Sequence, residues 1–345
     1  MVLYRFPFPL SLLNTRDKIF SNYEFIETGY RSQFSGLPGT GWRMSSIVEQ
    51  ILEEKRKQNA VILAHLYVDG EVQEIADFCG DSYYLSQMAQ KTDAETIVFC
   101  GVEFMAESAK ILNPEKLVLM PDRAADCPMA HMATPDDVAA FRATYDDLSV
   151  VCYINSTTEL KTVSDVCVTS SNAGKVISNI PNKHILFIPD QNLGGFLAPQ
   201  FPDKEFHFVD GYCHVHNFMD PSEVEALMAE HPDAKVACHP ECNPGIRALS
   251  DYIGSTTGIL KYANETDAKE FIILTEIGVA HRLRLDNPGK TFYFPETRPV
   301  CPNMKKVSLE KVLRVLKDHK DPIEVDPDIA EKAKNCLIKM HQWGG

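Results

Sequence analysis

Short apolar runs alternate along this chain with longer stretches in which the apolar positions have helical spacing. This alternation is typical of parallel β-sheets whose strands are joined by crossover helices. The first strand of three successive blocks is predicted in VILAHLY (61–67), SVVCYIN (149–155) and KVACHPE (235–241). The third strands are predicted in TIVFCG, HILFIP and FIILTE. The pattern therefore predicts an α/β fold of small parallel sheets.

Helices are predicted where capping signals frame a periodic stretch, at 103–113, 134–146, 221–231, 308–318 and 327–342. Thr134 and Ser308 are the predicted N-caps of two of them, and Pro221–Ser222 is predicted to start a third.

The blocks repeat with one period. Chemically similar residues recur after the first strand and at the next two elements, 88 and then 86 residues apart: His65, Tyr153 and His239; Tyr67, Asn155 and Glu241; Asp77, Asp165 and Asp251; Ser82, Ser170 and Thr256. Cys127, Cys213 and Cys301 follow the fourth apolar runs at intervals of 86 and 88. Four aligned triplets in order indicate triplication of a strand–helix unit.

The repeat divides the chain into three α/β units, 44–128, 129–215 and 216–301, with residues 302–345 predicted to complete the first. Residues 1–43 have clustered aromatics, prolines and no clear period, so we expect a poorly ordered extension, with Met44 as an alternative start. A signal peptide is disfavoured because prolines interrupt its apolar stretch and no small-residue cleavage site follows.

Composition narrows the class of protein. A net charge of −14 argues against a general nucleic-acid or anionic-membrane surface, and no apolar stretch is long enough to span a bilayer. Disulfide frameworks belong to small secreted domains, whereas most of the 10 cysteines here lie within apolar runs. We therefore expect a cytoplasmic, thiol-rich enzyme or sensor.

The repeat also predicts where the chemistry lies. Sites in parallel sheets form at the carboxyl ends of the strands, and three related units around a pseudo-threefold axis would bring their cysteines to one centre. Thiolates suit zinc, copper(I) or an iron–sulfur cluster, but no C-x-x-C pair of the kind usual in structural zinc sites is present. Three ligands, one from each unit, favour a [4Fe–4S] cluster with one iron free of protein thiolate.

Several longer strings resemble the quinolinate synthase family: IADFCGDSYYL, PDRAADCPMA, YINSTTELKTVSDVCVTSSNA, FIPDQNLG, GYCHVH, HPECNP, TEIGVAHRL and CPNMKK. The resemblance covers residues 45–342. It implies three α/β/α units around a central active site, with Cys127, Cys213 and Cys301 as ligands of one [4Fe–4S] cluster per chain.

The resemblance implies condensation of iminoaspartate with dihydroxyacetone phosphate to quinolinate, phosphate and two waters, a step in de novo NAD biosynthesis. An aspartate oxidase or dehydrogenase upstream is implied as a functional partner. The substrate-binding residues that it implies are His65, Ser82, Tyr153, Ile154, Asn155, Ser170, His239, Pro240, Glu241 and Thr256. Helix N-termini at Ser82, Ser170 and Thr256 would bind the anionic groups.

Roles in proton transfer are assigned by side-chain chemistry. Glu241 is the predicted general base, because a carboxylate in a closing pocket can have its pKa raised into a useful range. Tyr67 and Tyr153 are predicted to donate protons to developing oxyanions, and His216 to orient substrate or move protons.

Two departures and three alternatives stay open. The third ligand lies in ETRPVCPNM, which has one cysteine where some relatives have a C-x-x-C-x-x-C run, so the disulfide switch proposed for those relatives is unsupported here. In the second departure, Leu66 stands where relatives often have Asn. A cluster-dependent hydro-lyase of the aconitase kind, an iron or oxygen sensor, and a zinc protein are the alternatives.

Overall fold

The computed structural model describes residues 41–297 and 299–345. The prediction for residues 1–43 therefore lies mostly outside the described residues, although helix α1 (Gly41–Lys57) begins ahead of Met44. Residues 50–345 form one compact unit, and all the features below lie within it.

Three four-stranded parallel sheets have the same strand order. The first has the order β2-β1-β3-β4, from β1 (Ala60–His65), β2 (Phe78–Gly80), β3 (Thr96–Cys100) and β4 (Leu117–Leu119). The second has the order β6-β5-β7-β8, from β5 (Leu148–Tyr153), β6 (Val166–Val168), β7 (His184–Ile188) and β8 (Glu205–Phe208). The third has the order β10-β9-β11-β12, from β9 (Lys235–Cys238), β10 (Tyr252–Ile253), β11 (Glu270–Leu274) and β12 (Thr291–Tyr293). The predicted α/β fold of three related units is confirmed.

Helices connect these strands, as crossovers between parallel strands require. In chain order they are α2 (Gly70–Glu74), α3 (Ser82–Lys91), α4 (Glu103–Leu112), α5 (Pro135–Thr144), α6 (Thr158–Thr162), α7 (Ala173–Ser178), α8 (Gln191–Leu197), α9 (His214–Asn217), α10 (Pro221–Glu230), α11 (Pro244–Ala248), α12 (Thr256–Glu265), α13 (Val279–Asp286), α14 (Leu309–Asp318) and α15 (Pro327–Gly344).

The three repeated aspartates join the first two strands of each unit. Their side chains each accept a backbone N–H from the first strand: Asp77 from Ile62 at 2.8 Å, Asp165 from Val150 at 2.7 Å and Asp251 from Val236 at 2.9 Å. Their own backbone N–H groups donate to the same three partners' carbonyl oxygens. The repeated aspartate is thus a structural element, because it fixes how each second strand begins beside the first.

Element ends differ from the prediction in two ways. The strands are shorter than the apolar runs, so Cys127, Cys213 and Cys301 lie in loops beyond β4, β8 and β12. Thr134 and Ser308 are N-caps as predicted, but the N-cap of α10 is Asp220, whose carboxylate accepts the Ser222 N–H. A carboxylate placed before Pro221 is a better acceptor than a residue inside the first turn.

The two C-terminal helices lie in different places. Helix α14 packs on β3 of the first unit. Helix α15 packs mainly on α6, β6 and α7 of the second unit, with a smaller contact to α4. Its buried face consists of Ala333, Cys336, Leu337 and Met340. The sequence shows that this face is apolar, but not which unit has a complementary surface.

In the described part of the chain, no helix combines the length and the apolar character that a bilayer span needs.

Candidate functional site

One cavity of about 730 Å³ lies where the carboxyl ends of strands from all three sheets face one another. Thirteen predicted site residues line it: His65, Tyr67, Ser82, Cys127, Tyr153, Asn155, Ser170, Cys213, His216, His239, Glu241, Thr256 and Cys301. Ile154 and Pro240 do not line it. Ile154 is buried and its N–H donates to the Val168 carbonyl, whereas the Pro240 carbonyl accepts a bond from Arg247.

The three repeat-related cysteines are partly exposed free thiols in this cavity. Their backbone N–H groups each donate to a carboxylate. Cys213 donates to Asp190 at 3.1 Å, Cys301 donates to Glu276 at 3.0 Å, and Cys127 donates to its neighbour Asp126 at 2.7 Å. Each cysteine loop is thus held by a side-chain carboxyl group that accepts its backbone N–H.

Asp190 and Glu276 were not predicted from the sequence. They follow the third strands of the second and third units, 86 residues apart, and both are fully buried. Burial raises the pKa of each carboxyl. The equivalent position of the first unit is Val102. The repeat register singles out the two acidic positions, but their relation to the cysteines depends on the fold.

Glu276 also joins the first and third units. It forms an ion pair with Lys305 at 3.1 Å, and Lys305 donates to the Tyr67 carbonyl at 2.6 Å. At Gly278, a Cβ would lie 2.7 Å from the Leu66 carbonyl oxygen, which only glycine avoids. The lysine beside Cys301 is therefore a structural cation in this contact.

The donor set fits an iron–sulfur cluster. Three thiols from three units face one cavity, and among the described residues their three sulfur atoms do not together form a group in which all lie within 4.8 Å of one another. Ligands of a single zinc ion lie closer together than this, whereas a cluster has the larger span. Cys213, His216 and Glu241 do form such a close group. If the protein were a zinc protein, this close group is where a single divalent ion would bind.

Glu241 lies between two buried histidines. Its carboxylate is 2.8 Å from His216 Nδ1 and 3.4 Å from His239 Nδ1. The Glu241 backbone N–H donates to His239 Nδ1 at 3.3 Å, so that nitrogen is an acceptor and His239 Nε2–H faces Ser170 Oγ at 3.1 Å. His216 is then the histidine that donates to the carboxylate.

This arrangement reverses the predicted direction of the Glu241 pKa. Burial alone raises it, but the nearby His239 and the hydrogen bond from His216 outweigh burial and hold the pKa well below its usual range. Burial lowers the pKa of His239, which therefore favours its neutral form. The hydrogen bond that His216 donates favours the ionised form of Glu241. The prediction of a raised pKa was wrong because it considered burial without these partners.

A continuous hydrogen-bond chain leads to Glu241. Thr256 Oγ1 is 2.8 Å from Tyr67 Oη, Tyr67 Oη is 2.8 Å from Thr275 Oγ1, and Thr275 Oγ1 is 2.9 Å from His216 Nε2. Because His216 donates through Nδ1, its Nε2 accepts from Thr275, which in turn accepts from Tyr67. Burial raises the pKa of Tyr67 well above 10, so its proton remains available to donate along this chain. Thr275 was not predicted.

The hydroxyls at the helix starts have a different arrangement from the one predicted. Asp81 caps α3 and Ser255 caps α12, each accepting a backbone N–H, so Ser82 and Thr256 occupy the first helical positions and line the cavity. Ser170 lies ahead of α7, which begins only at Ala173. Capping by the neighbouring side chains leaves Ser82 and Thr256 free of that role.

Asn155 has an unpartnered polar atom at the cavity. Its Oδ1 is buried and has no hydrogen-bond partner among the described residues. A buried acceptor without a donor costs free energy that a bound ligand can recover. This observation supports the predicted substrate contact of Asn155 more directly than the sequence does.

His65 predicts a pH dependence. Burial lowers its pKa to about 4, from 6.5, despite the opposing charge of Asp81. The unfolded state therefore binds more protons between these values, and stability falls as pH drops below 6.5. We expect the free energy of unfolding to fall by about 2 kcal/mol more between pH 7 and pH 5 than in His65→Gln. Urea denaturation at both pH values measures this difference. An equal loss of unfolding free energy between pH 7 and pH 5 in the two proteins would contradict the prediction.

Three repeated α/β units that share one cavity, three thiols and a buried acid–base cluster define a multi-unit α/β enzyme. Comparison with known proteins agrees with this class. The family model described as quinolinate synthetase A protein matches residues 49–342. The chain belongs to this family.

Curated relatives extend the match. The chain is 50% identical over 293 residues to a protein named quinolinate synthase from Clostridioides difficile, covering 85% of this chain and 96% of that one. Identity is 49% over 295 residues with the protein of that name from Geobacter metallireducens, covering 86% and 97%. It is 48% over 297 residues with that from Fusobacterium nucleatum, covering 86% and 99%.

Proposed function

We propose that this chain is a quinolinate synthase that condenses iminoaspartate with dihydroxyacetone phosphate, releasing quinolinate, phosphate and two waters. The observation that carries the proposal is the shared cavity, in which three thiols, one from each unit, face the buried Glu241–His216 pair. The family membership and the names of the relatives support the same reaction.

Cys127, Cys213 and Cys301 would hold a [4Fe–4S] cluster. When bound, it supplies a Lewis acid through the iron that has no protein thiolate. Asp190, Glu276 and Asp126 fix the backbone of the ligand loops through the cysteine N–H groups. The chain provides no fourth cysteine in the lining of the described cavity, which suits a site with one open position.

Glu241 is the proposed general base. It is buried and lines the cavity, and its lowered pKa keeps it ionised and able to accept a proton from bound substrate, although the same shift weakens it as a base. The hydrogen bond from His216 keeps the carboxylate oriented, and the chain through Thr275 and Tyr67 offers a route along which protons can be exchanged. His239 holds Ser170 in place on the opposite side.

Neutral donors surround the space that remains for substrate. Burial, followed by the nearby Glu241 charge, raises the pKa of Tyr153 well above 10, so Tyr153 is a phenol that can donate to a developing oxyanion. Hydroxyl groups of Ser82 and Thr256 at two helix starts can bind carboxylate or phosphate oxygens, where the helix dipole favours negative charge. Asn155 is the remaining polar contact.

Thr275 gives a test of the hydrogen-bond chain. In Thr275→Val the shape is kept, but His216 Nε2 loses its donor and Tyr67 loses its acceptor. We expect kcat to fall by about 30-fold with KM little changed, because two buried hydrogen bonds, each worth about 1 kcal/mol, are lost. Steady-state kinetics measures the split, with Thr275→Ser, which keeps the hydroxyl, as the matched control. Equal activity of Val and Ser variants would contradict a role for the chain.

The activity itself is tested with anaerobically purified, cluster-loaded protein, given dihydroxyacetone phosphate and freshly generated iminoaspartate. Quinolinate and phosphate should form in equal amounts, and Cys213→Ala should abolish both. Absence of product despite an intact four-iron cluster would overturn the proposal and favour the hydro-lyase or sensor alternative. Zinc without inorganic sulfide would favour the zinc alternative.

We also propose a cytoplasmic location and a functional partner that supplies iminoaspartate. The substrate is unstable in water, so an aspartate oxidase or dehydrogenase must produce it nearby. The thiol-rich chain, with 10 cysteines and a cluster-binding site, suits a reducing compartment.

A further inference from the structure

Two histidines and a glutamate lie together at the amino-terminal edge of the second sheet, away from the cavity. His184 begins β7 and Glu205 begins β8, and these two residues are paired in the parallel register. His207 follows two residues after Glu205, so all three side chains emerge on one face of the sheet. The function proposed above uses none of them.

Their ligand atoms are close together. His184 Nδ1 is 3.1 Å from His207 Nε2 and 3.4 Å from Glu205 Oε2, and all three atoms lie within 4.8 Å of one another. Ligands at about 2.0–2.1 Å from a tetrahedral zinc ion are separated by roughly 3.3 Å. The observed separations therefore match the edges of such a site with little movement.

The surroundings hold this arrangement in place. Tyr145 stacks against both imidazoles, with ring centroids 4.6 Å from His184 and 4.3 Å from His207. Lys183 pairs with Glu205 Oε1 at 2.6 Å, which leaves Oε2 directed at His184. Glu205 is 52% exposed and His184 20% exposed, so an ion can enter from solvent and a water can complete the coordination.

We propose that His184, Glu205 and His207 form a binding site for a divalent transition metal, with zinc as the ion of best fit. Two imidazoles and a carboxylate are a ligand set that zinc accepts, and imidazole also suits copper and nickel. A bound ion joins the starts of β7 and β8 and stabilises the second unit by mass action.

The site is separate from the cysteine centre. His184 is the first residue of β7 and Asp190, which holds Cys213, lies two residues beyond the other end of that strand, roughly 20 Å away along an extended chain. Metal bound at His184 would therefore not contact the cluster ligands. The expected sulfur-free coordination distinguishes the two sites.

The third unit provides a matched control. The positions 86 residues beyond Tyr145, His184 and His207 are His231, Glu270 and Tyr293. His231 stacks on Tyr293 at 3.6 Å and its Nδ1 lies 3.9 Å from Glu270. This equivalent cluster has one imidazole instead of two, so it lacks the second nitrogen ligand.

The experiment is a zinc titration of cluster-loaded protein by calorimetry, followed by zinc K-edge absorption. We expect one zinc per chain, with nitrogen and oxygen ligands at about 2.0–2.1 Å and no sulfur at about 2.3 Å. His184→Ala and His207→Ala should each weaken binding by about 100-fold or more, since even loss of an outer-shell partner costs 10–100-fold. His231→Ala should bind as wild type.

Circular dichroism and thermal melting without zinc establish that each variant is folded. Addition of zinc should raise the melting temperature of wild type and His231→Ala, but not that of His184→Ala or His207→Ala. Sulfur ligation of the bound zinc, no saturable binding, or unchanged affinity in a folded His207→Ala variant would each overturn the proposal.

Discussion

Replacing Glu241 with Gln should lower kcat for quinolinate formation by about 10²–10⁴-fold, the range that a general base contributes. The amide keeps the volume of the side chain and can still bond His216, but it cannot accept a proton at neutral pH. The buried, ionised carboxylate is the group that the cavity offers for this step. Anaerobic steady-state kinetics measures the loss, with iron and sulfide content as the check on the cluster.

The control is Glu225→Gln on the exposed side of α10, which should behave as wild type. Because Glu241 is not one of the proposed cluster ligands, the Gln variant should retain its iron and sulfide. Turnover within a few-fold of wild type in a fully loaded Gln variant would exclude Glu241 as the base. That result would also favour the sensor alternative, since a sensor has no need of this carboxylate.

The second large effect is expected on stability. Glu276→Ala should lower the free energy of unfolding by about 3–5 kcal/mol, because it leaves Lys305 without its buried partner. The same change removes the acceptor for the Cys301 and Gly278 N–H groups. The Cys301 loop should loosen as a result, and iron should be lost to a chelator more quickly. Urea denaturation and the rate of iron release measure the two effects.

Glu276→Gln and Glu270→Ala separate the causes. The Gln variant keeps an oxygen acceptor but loses the charge, so it should fall between wild type and Ala. Glu270 begins the same strand, β11, but is 40% exposed, and its removal should cost no more than about 1 kcal/mol. If Glu276→Ala proves as mild as Glu270→Ala, Glu276 does not hold the Cys301 loop as described.

The repeat accounts for most of what the sequence could predict. A period of 86–88 residues placed His65, Glu241, Cys127 and their counterparts at equivalent positions, and three equal units imply one shared centre. The same reasoning left Asp190 and Glu276 unassigned. Their first-unit counterpart is Val102, so the triplet does not stand out by chemistry. Their partners lie 23 and 25 residues away along the chain.

Local electrostatics and helix caps were harder to predict for a related reason. The pKa of Glu241 depends on His216, which comes from another part of the chain and reaches it only in the folded state. Ser82 was predicted at the start of its helix, but whether the cap is Ser82 or Asp81 turns on one residue of register. The start of a helix is defined only to within about one or two residues, so the sequence pattern does not decide between these two caps.

The division of the cysteines among three units has a consequence for biosynthesis. Residue 301 must leave the ribosome before the third thiol can join the other two, and Lys305, which steadies the Glu276 contact, comes still later. A nascent chain that ends before residue 301 has at most two of the three proposed ligands. Delivery of the proposed cluster must therefore follow synthesis of all three units, and a product of translation that stops before residue 301 cannot form the three-thiol site.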